Sequence, residues 1–487
     1  MVGSAPRPRA ETKNDVLTEI FRSDISEELW HDDGTPSLTH EEVLANDLAF
    51  AKDPPQVQDA HATSNMASGH APHRQSDEIG ASTYEYVHTD KVADECKHLS
   101  EEQRQQLRQL LRKFPRLFSG KLGKYNGEKV HLDIDPNAEP HAARAYSVPR
   151  KHEARFKEEL ERLVEIGVLE RCGRSRWMMP TFIVPKKDGK VRWVSDFRAL
   201  NKVLKRRVYP IPRIQDILSR RSGYSWLTKL DISMQYYTME LDEASSEACT
   251  IVTPFGLYRY KRLPMGVSQS PDVAQEVMER VLEAIEDIEI YIDDIAAFSD
   301  TWDEHLELLD KVLSTLQEAG FTINLLKCEW GIQETDFLGH WLTPKGIKPW
   351  RKKVQGILDM RSPTNVSELR SFLGLMNYYR DMWPRRLHVL APLTKEWTDR
   401  QEKAFKEMKA LAAANVLLHY LDHNKQFDIE TDASDYQLGW VIKQDGKPVA
   451  YLRRNSSVAS RPSRFFVRCC WARTFASTPI IRISPIR

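Results

Sequence analysis

Three aspartates offer the clearest chemistry in the sequence. Asp231 ends the strand-like run "SWLTKLDIS", and Asp293 and Asp294 stand side by side 62 residues later within "IEIYIDDIAAF". The second stretch is rich in Ile, Tyr and Phe and reads as a buried hairpin. Burying even one ionised carboxylate without a partner costs several kcal/mol. Neighbouring strands lie ~4.7–4.9 Å apart, so a strand end and an adjacent hairpin bend can bring these side chains together. Three carboxylates in a small volume repel one another unless divalent cations neutralise them, and hard oxygen donors favour Mg²⁺, with Mn²⁺ as a substitute. Two such ions ~3.5–4 Å apart form the clamp that stabilises attacking and leaving oxygens in phosphoryl transfer. Taken alone, "YIDD" fits a solvated hairpin tip equally well.

The elements that would position these aspartates can be read around them. "TFIVPKKDGKVRWVSDF" predicts strand, Asp188-Gly189 turn, strand. Its Lys186, Lys187, Lys190 and Arg192 could grip a triphosphate by charge-assisted bonds, or simply form a solvated basic hairpin. Tyr236 follows Asp231 by five residues, a bulky ring near the candidate metal site. "SPDVAQEVMERVLEAI" predicts a helix opened by Ser270 and Pro271, and "DEHLELLDKVLSTLQEAG" one closed by Gly320. Helical spacing puts Leu107, Leu110, Leu111 and Phe114 on one face, and Phe156, Leu160, Leu163 and Val164 on another. This order predicts an antiparallel sheet with helices on one side, an α+β fold.

The whole chain sets outer bounds. Its 487 residues, 41% of them hydrophobic, can bury sizeable cores, and the length suggests roughly two to four domains. The net charge of zero hides an asymmetry: residues 1–100 hold 8 Lys and Arg against 19 Asp and Glu, leaving 62 basic and 51 acidic residues to the rest. A basic body is compatible with a polyanionic ligand, or with an ordinary solvated surface. The six cysteines show no CxxC pair and no zinc-knuckle spacing. With no signal-peptide pattern and no membrane-length apolar run, an intracellular protein (cytoplasmic particle or nucleus) without membrane contact is expected.

The motifs also occur in a family order. "FIVPKKDGKVRWVSDFRALNK", "LTKLDIS", "CTIVTPFGLYRYKRLPMGVSQSP", "EIYIDDIAAFS", "FTINLLKCEW", "DFLGHWLTPKGIKP" and "LRSFLGLMNYY" make the stretch from about 131 to 450 resemble the reverse transcriptase of gypsy-type LTR retrotransposons (Metaviridae). The resemblance implies a right-hand polymerase of fingers, palm and thumb with an antiparallel palm sheet, then a connection region and an incomplete RNase H-like segment. It implies that Asp231, Asp293 and Asp294 bind two Mg²⁺ ions, and that Lys186, Arg192, Tyr236 and Met265 contact the incoming dNTP. Tyr236 matches the position that excludes a ribose 2′-OH. Phe337, Leu338, Gly339, His340 and Trp341 match the hairpin that grips the primer end. The implied partners are an RNA or DNA template, a nucleic-acid primer and dNTPs. Gln235-Tyr236-Tyr237-Thr238 stands where the family usually reads Gly-Tyr-His-Gln, and Met265 where relatives carry Gln or Phe. For "SELRSFLGLMNYYRDMW" a packed helix with Leu369, Phe372, Leu373 and Tyr379 as core explains most residues as well as a nucleic-acid contact does.

Expected boundaries follow: 1–95, an acidic, largely disordered leader; 96–145, a helical extension; 146–345, fingers and palm; 346–424, thumb and connection; 425–451, a partial RNase H-like start; and 452–487, an aberrant tail. Asp432 in "FDIETDAS" matches the first RNase H metal ligand, yet residues 452–487 contain no Asp or Glu. Ser477 to Ile486, "STPIIRISPI", can be encoded so that the adjacent frame gives I-H-T-D-H-K-N-L-T-Y, which resembles a later RNase H strand. A frameshift or misread splice therefore accounts for the tail, and RNase H activity is expected to be lost. Besides an active polymerase, a retroelement relic that binds nucleic acid without extending it fits the sequence; a palm polymerase that makes RNA fits it less well.

Overall fold

The computed structural model describes residues 88–185, 191–221, 223–383, 389–390, 393, 398–414, 416–422, 425–434, 437–455 and 481–485. They divide into two units, one from Asn65–Arg213 and Tyr224–Gln333, the other from Ile214–Gly223 and Glu334–Arg487. Among the described residues no helix is long and apolar enough to cross a membrane.

The first unit opens with helices α1 (Thr89–Glu95), α2 (Glu101–Arg112) and α3 (Arg150–Glu165). Helix α1 lies inside the stretch read from sequence as leader. Val92 and Ala93 are buried, and Asp90 and Asp94 pair with Arg112 and Arg108 of α2 at 2.6 and 2.5 Å. The segment 1–87 lies outside the described residues. Leu107, Leu110, Leu111 and Phe114 are buried as their spacing predicts, as are Phe156, Leu160 and Leu163. Val164 is 37% exposed, contrary to expectation. It stands one residue, about 100° of helix rotation, past Leu163 and so falls off the stripe.

Strands β1 (Leu169–Cys172), β2 (Met179–Pro185) and β3 (Val191–Ser195) precede β4 (Trp226–Asp231). Helices α4 (Gln235–Thr238) and α5 (Glu243–Ala248) lead to β5 (Thr250–Thr253), β6 (Gly256–Tyr260) and α6 (Ser270–Val281). The predicted hairpin follows as β7 (Ile288–Tyr291) and β8 (Asp294–Ser299), then α7 (Trp302–Glu318) and β9 (Glu329–Ile332). Two sheets result, in the orders β1-β6-β5-β2-β3 and β7-β8-β4-β9. The second is antiparallel throughout, as expected of a palm. Strand β8 is one of its two inner strands, and Ile295, Ala296, Ala297 and Phe298 are all buried. Helix α7 packs Leu309, Val312, Leu313 and Leu316 into the core. Its start is fixed by a capping box between Thr301 and Glu304. It ends before Gly320, at φ 86°, where a Cβ would collide with the Lys124 carbonyl.

In the second unit, β10 (Thr335–Phe337), β11 (His340–Thr343) and β12 (Gly346–Pro349) form a meander. Helices α8 (Arg351–Asp359), α9 (Val366–Tyr378) and α10 (Asp399–Ala413) follow, and β13 (Leu418–His419) completes the sheet. Leu369, Phe372, Leu373 and Tyr379 are buried, so the packing account of this helix holds for them. The last sheet is ordered β16-β15-β14-β17, from β14 (Phe427–Ser434), β15 (Gln437–Gln444), β16 (Lys447–Asn455) and β17 (Ile481–Pro485). Strand β17 pairs parallel with β14.

Candidate active site

Strand register brings the aspartates to one end of the β7-β8-β4-β9 sheet. Asp231, last in β4, is the direct partner of Asp294, first in β8. Asp294 in turn pairs with Tyr291 across the hairpin, which leaves Ile292 and Asp293 as a two-residue turn. Ile292 has φ 55°, a left-handed conformation unusual for a β-branched side chain. The Ile232 N–H reaches the Asp293 carbonyl at 3.4 Å, extending the pairing past the strand end.

Burial pushes the Asp231 carboxyl above the ordinary range; Lys327 pulls it down and neighbouring Asp293 pushes it up. The Lys327 Nζ lies 3.2 Å from both Asp231 carboxylate oxygens. Among the described residues, no three His, Cys, Asp or Glu side chains close on one point as a finished ligand shell. Strand register delivers the carboxylates to adjoining positions, and an ammonium group neutralises one of them. The donor set is hard oxygen. A neighbouring sulfur, Cys328, accepts from the Asp231 N–H at 3.5 Å and donates to the Asn324 carbonyl at 3.2 Å. Burial pushes that thiol up to about 12, so it stays a neutral thiol rather than a soft thiolate ligand. These residues fit Mg²⁺ or Mn²⁺ and not a thiophilic metal.

Tyr236, on α4, is half-buried; burial first and then the Asp293 charge raise its hydroxyl pKa. Arg192 is exposed on β3 opposite Val184. Lys186, with Lys187 and Lys190, lies outside the described residues. Met265 is 49% exposed. The loop after it is pinned by Asn201, which donates to the Gly266 carbonyl at 3.0 Å and accepts from the Ser268 N–H at 2.9 Å.

The hairpin expected to grip a primer belongs to the second unit. Leu338 and Gly339, both at positive φ, form its two-residue turn, while Phe337 pairs with His340. The Tyr378 hydroxyl donates to the Leu338 carbonyl at 2.9 Å and the Tyr379 hydroxyl to that of Gly339 at 2.6 Å. His340 stacks on Tyr378, and Trp341 donates to Glu334 at 2.9 Å. Further along, Asp432 pairs in register with Gly439, and β17 aligns Pro485 with Thr431. Residues 456–480 of the expected aberrant tail lie outside the described residues.

Sequence reasoning missed Lys327, Cys328 and the glutamines around Ile292. "LLKCEW" was visible as a landmark, but nothing local said that its lysine reaches a residue 96 positions earlier.

Residues 184–342 match the family model for reverse transcriptase (RNA-dependent DNA polymerase), and 397–476 that for the RNase H-like domain found in reverse transcriptase. The second match extends beyond 425–451 on both sides. The chain therefore carries a reverse transcriptase domain and an RNase H-like domain, and it resembles Pol polyproteins of the gypsy, LTR-retrotransposon kind. It is 33% identical over 376 residues to the retrovirus-related Pol polyprotein from transposon 297 of Drosophila melanogaster, covering 73% of this chain and 35% of that polyprotein. To the transposon Tf2-3 polyprotein of Schizosaccharomyces pombe it is 30% identical over 331 residues, 65% of this chain and 25% of that one. The chain thus spans only a fraction of these relatives' length. Among solved structures it is similar to foamy viral protease-reverse transcriptase in complex with dsDNA, with TM-score 0.70 and 25% identity over 77% of this chain and 82% of that one. The same fold recurs in the form with an RNA/DNA hybrid, at TM-score 0.68, 24% identity and 78% and 53% coverage.

Proposed function

We propose that this chain is an RNA-directed DNA polymerase that extends a nucleic-acid primer with dNTPs along an RNA or DNA template. The observation that carries the reading is the register of Asp231 against Asp294, with Asp293 in the adjoining turn, inside the segment that matches reverse transcriptases. Asp231, Asp293 and Asp294 would hold two Mg²⁺ ions, whose charge would offset that developing on the attacking and leaving oxygens. The primer 3′-OH attacks the dNTP α-phosphate, and pyrophosphate leaves. Arg192, exposed on β3, and Lys186 hold the triphosphate. The half-buried Tyr236 ring blocks space that a 2′-OH would need, and Met265 lies along the nucleotide. The Phe337–Trp341 hairpin, its turn carbonyls held by two tyrosines, steadies the primer end. RNase H cleavage is not part of this reading, which rests on Asp231, Asp293 and Asp294.

The test is extension of oligo(dT) on poly(rA) with dTTP and Mg²⁺, with Asp293→Asn protein as the blank. Extension by the wild type and none by the variant supports the reading. Binding of primer–template without extension by either would favour the relic instead.

Lys327 supplies a second expectation. A metal ion entering the site must displace its ammonium from Asp231. The lysine side chain is 58% exposed, so the pair is worth ~1 kcal/mol at most. Lys327→Met should therefore tighten Mn²⁺ binding, read by electron paramagnetic resonance, by up to about fivefold. Weaker binding in that variant would show that Lys327 supports the site and does not compete for it.

A further inference from the structure

Ile292 has both of its backbone polar groups inside the protein and cannot satisfy either by strand pairing, because it occupies the turn. Two glutamine side chains take them. Gln275, on α6, accepts from the Ile292 N–H at 2.6 Å, and Gln235, on α4, donates through Nε2 to the Ile292 carbonyl at 2.8 Å. Both side chains are buried, at 0% and 2% exposure. Gln275 is itself fixed, donating to the Ile290 carbonyl at 3.1 Å and to Glu279 at 2.7 Å. The other oxygen of Glu279 accepts from the Tyr209 hydroxyl at 2.6 Å. Gln235 is held only at one end: its Oε1 is buried without a hydrogen-bond partner. A buried amide with one end unsatisfied is unfavourable in itself, so the bond it does make has to be compensating something. What it compensates is the left-handed φ of a β-branched residue, a conformation that persists only when its surroundings over-determine it.

We infer that Gln235 and Gln275 form a two-sided amide clamp on Ile292 that sets the position of Asp293 and Asp294 relative to Asp231. Both are positioning residues, touching the turn and not the reacting groups. A glycine at position 235 could not make this bond, so the carbonyl side of the clamp rests on this glutamine side chain. The clamp acts through the turn: the N–H is held from the α6 side and the carbonyl from the α4 side, immediately before the two aspartates. Loosening either side lets Ile292 relax towards negative φ, which swings the following carboxylates without unfolding the sheet.

This inference rests on the polymerase reading, and its test separates the two. Gln235→Met keeps the size and removes the donor. Amide exchange across Ile288–Ile295 should then quicken by about tenfold, as a local opening equilibrium shifts. In primer extension, kcat should fall by about tenfold with KM for dNTP little changed, and more Mg²⁺ should be needed for half-maximal rate. Adding Ile292→Gly to that variant should restore both readouts, since glycine accepts positive φ without a clamp. Unchanged exchange in folded Gln235→Met protein would overturn the clamp, as would failure of Ile292→Gly to restore it. A wild type that extends no primer would sink the polymerase reading and leave the exchange measurement to judge the clamp.

Discussion

Asp231→Asn protein extends a primer at least about a thousandfold more slowly than wild type, while it unfolds at the same temperature or higher. The rate loss corresponds to about 4 kcal/mol of transition-state stabilisation, the scale seen when one electrostatic contact to a developing charge is removed. The stability half of the expectation comes from the site's own electrostatics. Asp231 is largely buried, and its carboxyl lies above the ordinary range, chiefly because burial disfavours the charged form. For an acid, a folded-state pKa above the unfolded one means that stability is fullest below the unfolded value. It declines as pH rises through the folded value, so at neutral pH the ionised group works against folding of the metal-free chain. The amide keeps the shape, removes the charge and removes the repulsion from Asp293. What it gives up is the pair with the exposed Lys327 ammonium, worth little. Affinity for primer–template should stay the same or tighten slightly, because phosphate contacts dominate it and a nearby negative charge has gone. Thermal unfolding, duplex binding and extension rates, measured side by side, check all three. A variant that extends at near wild-type rate would remove Asp231 from the chemistry.

The sheet that carries the three aspartates was legible because its signals are local. "YIDD" flanked by apolar residues forced a hairpin, "SWLTKLD" ended a strand on an aspartate, and Ser270–Pro271 and Gly320 bounded the helices on either side. Which aspartate faces which was not legible, because register depends on pairing across 63 positions of sequence from Asp231 to Asp294. The same holds for Lys327 on Asp231 and for Gln235 on Ile292: a lysine or glutamine looks alike in a loop and in a site. Val164 shows the opposite failure, since a hydrophobic residue adjacent to a buried stripe was counted into it although the helix turns it outward. Helix α1 was hidden by composition; its acidic residues look like leader until Arg108 and Arg112 are seen opposite them. The strand β17 beside Asp432's strand has no sequence signal, as its partner β14 lies some fifty residues earlier.

Acid should loosen the sheet that carries the aspartates from about pH 6.5 downward, and His305 is the reason. Its ring is fully buried, with Nε2 2.8 Å from the Thr228 hydroxyl and Nδ1 2.8 Å from that of Ser299. Thr228 Oγ1 also accepts from the Gly331 N–H at 3.0 Å. One imidazole on α7 thus ties together β4, β8 and β9. Burial holds its pKa down to about 4, against an ordinary value of 6.5. The sign follows from which state takes the proton. Below pH 6.5 the unfolded chain binds it and the folded chain does not, so stability is complete above that value and declines as pH falls towards 4. Over the whole window the loss is about 3 kcal/mol, at 1.36 kcal/mol per pKa unit. His340 in the second unit, also buried and held at about 4, adds a similar dependence there. His305→Gln keeps a donor and an acceptor but cannot titrate. It should be less stable than wild type at pH 7.5, because an amide fills the imidazole space imperfectly, and the gap should narrow steadily to pH 4.5. Other acid-sensitive groups are common to both proteins and cancel in the difference. Urea unfolding at several pH values measures it, and parallel curves for the two proteins would show that the buried imidazole does not set the acid sensitivity.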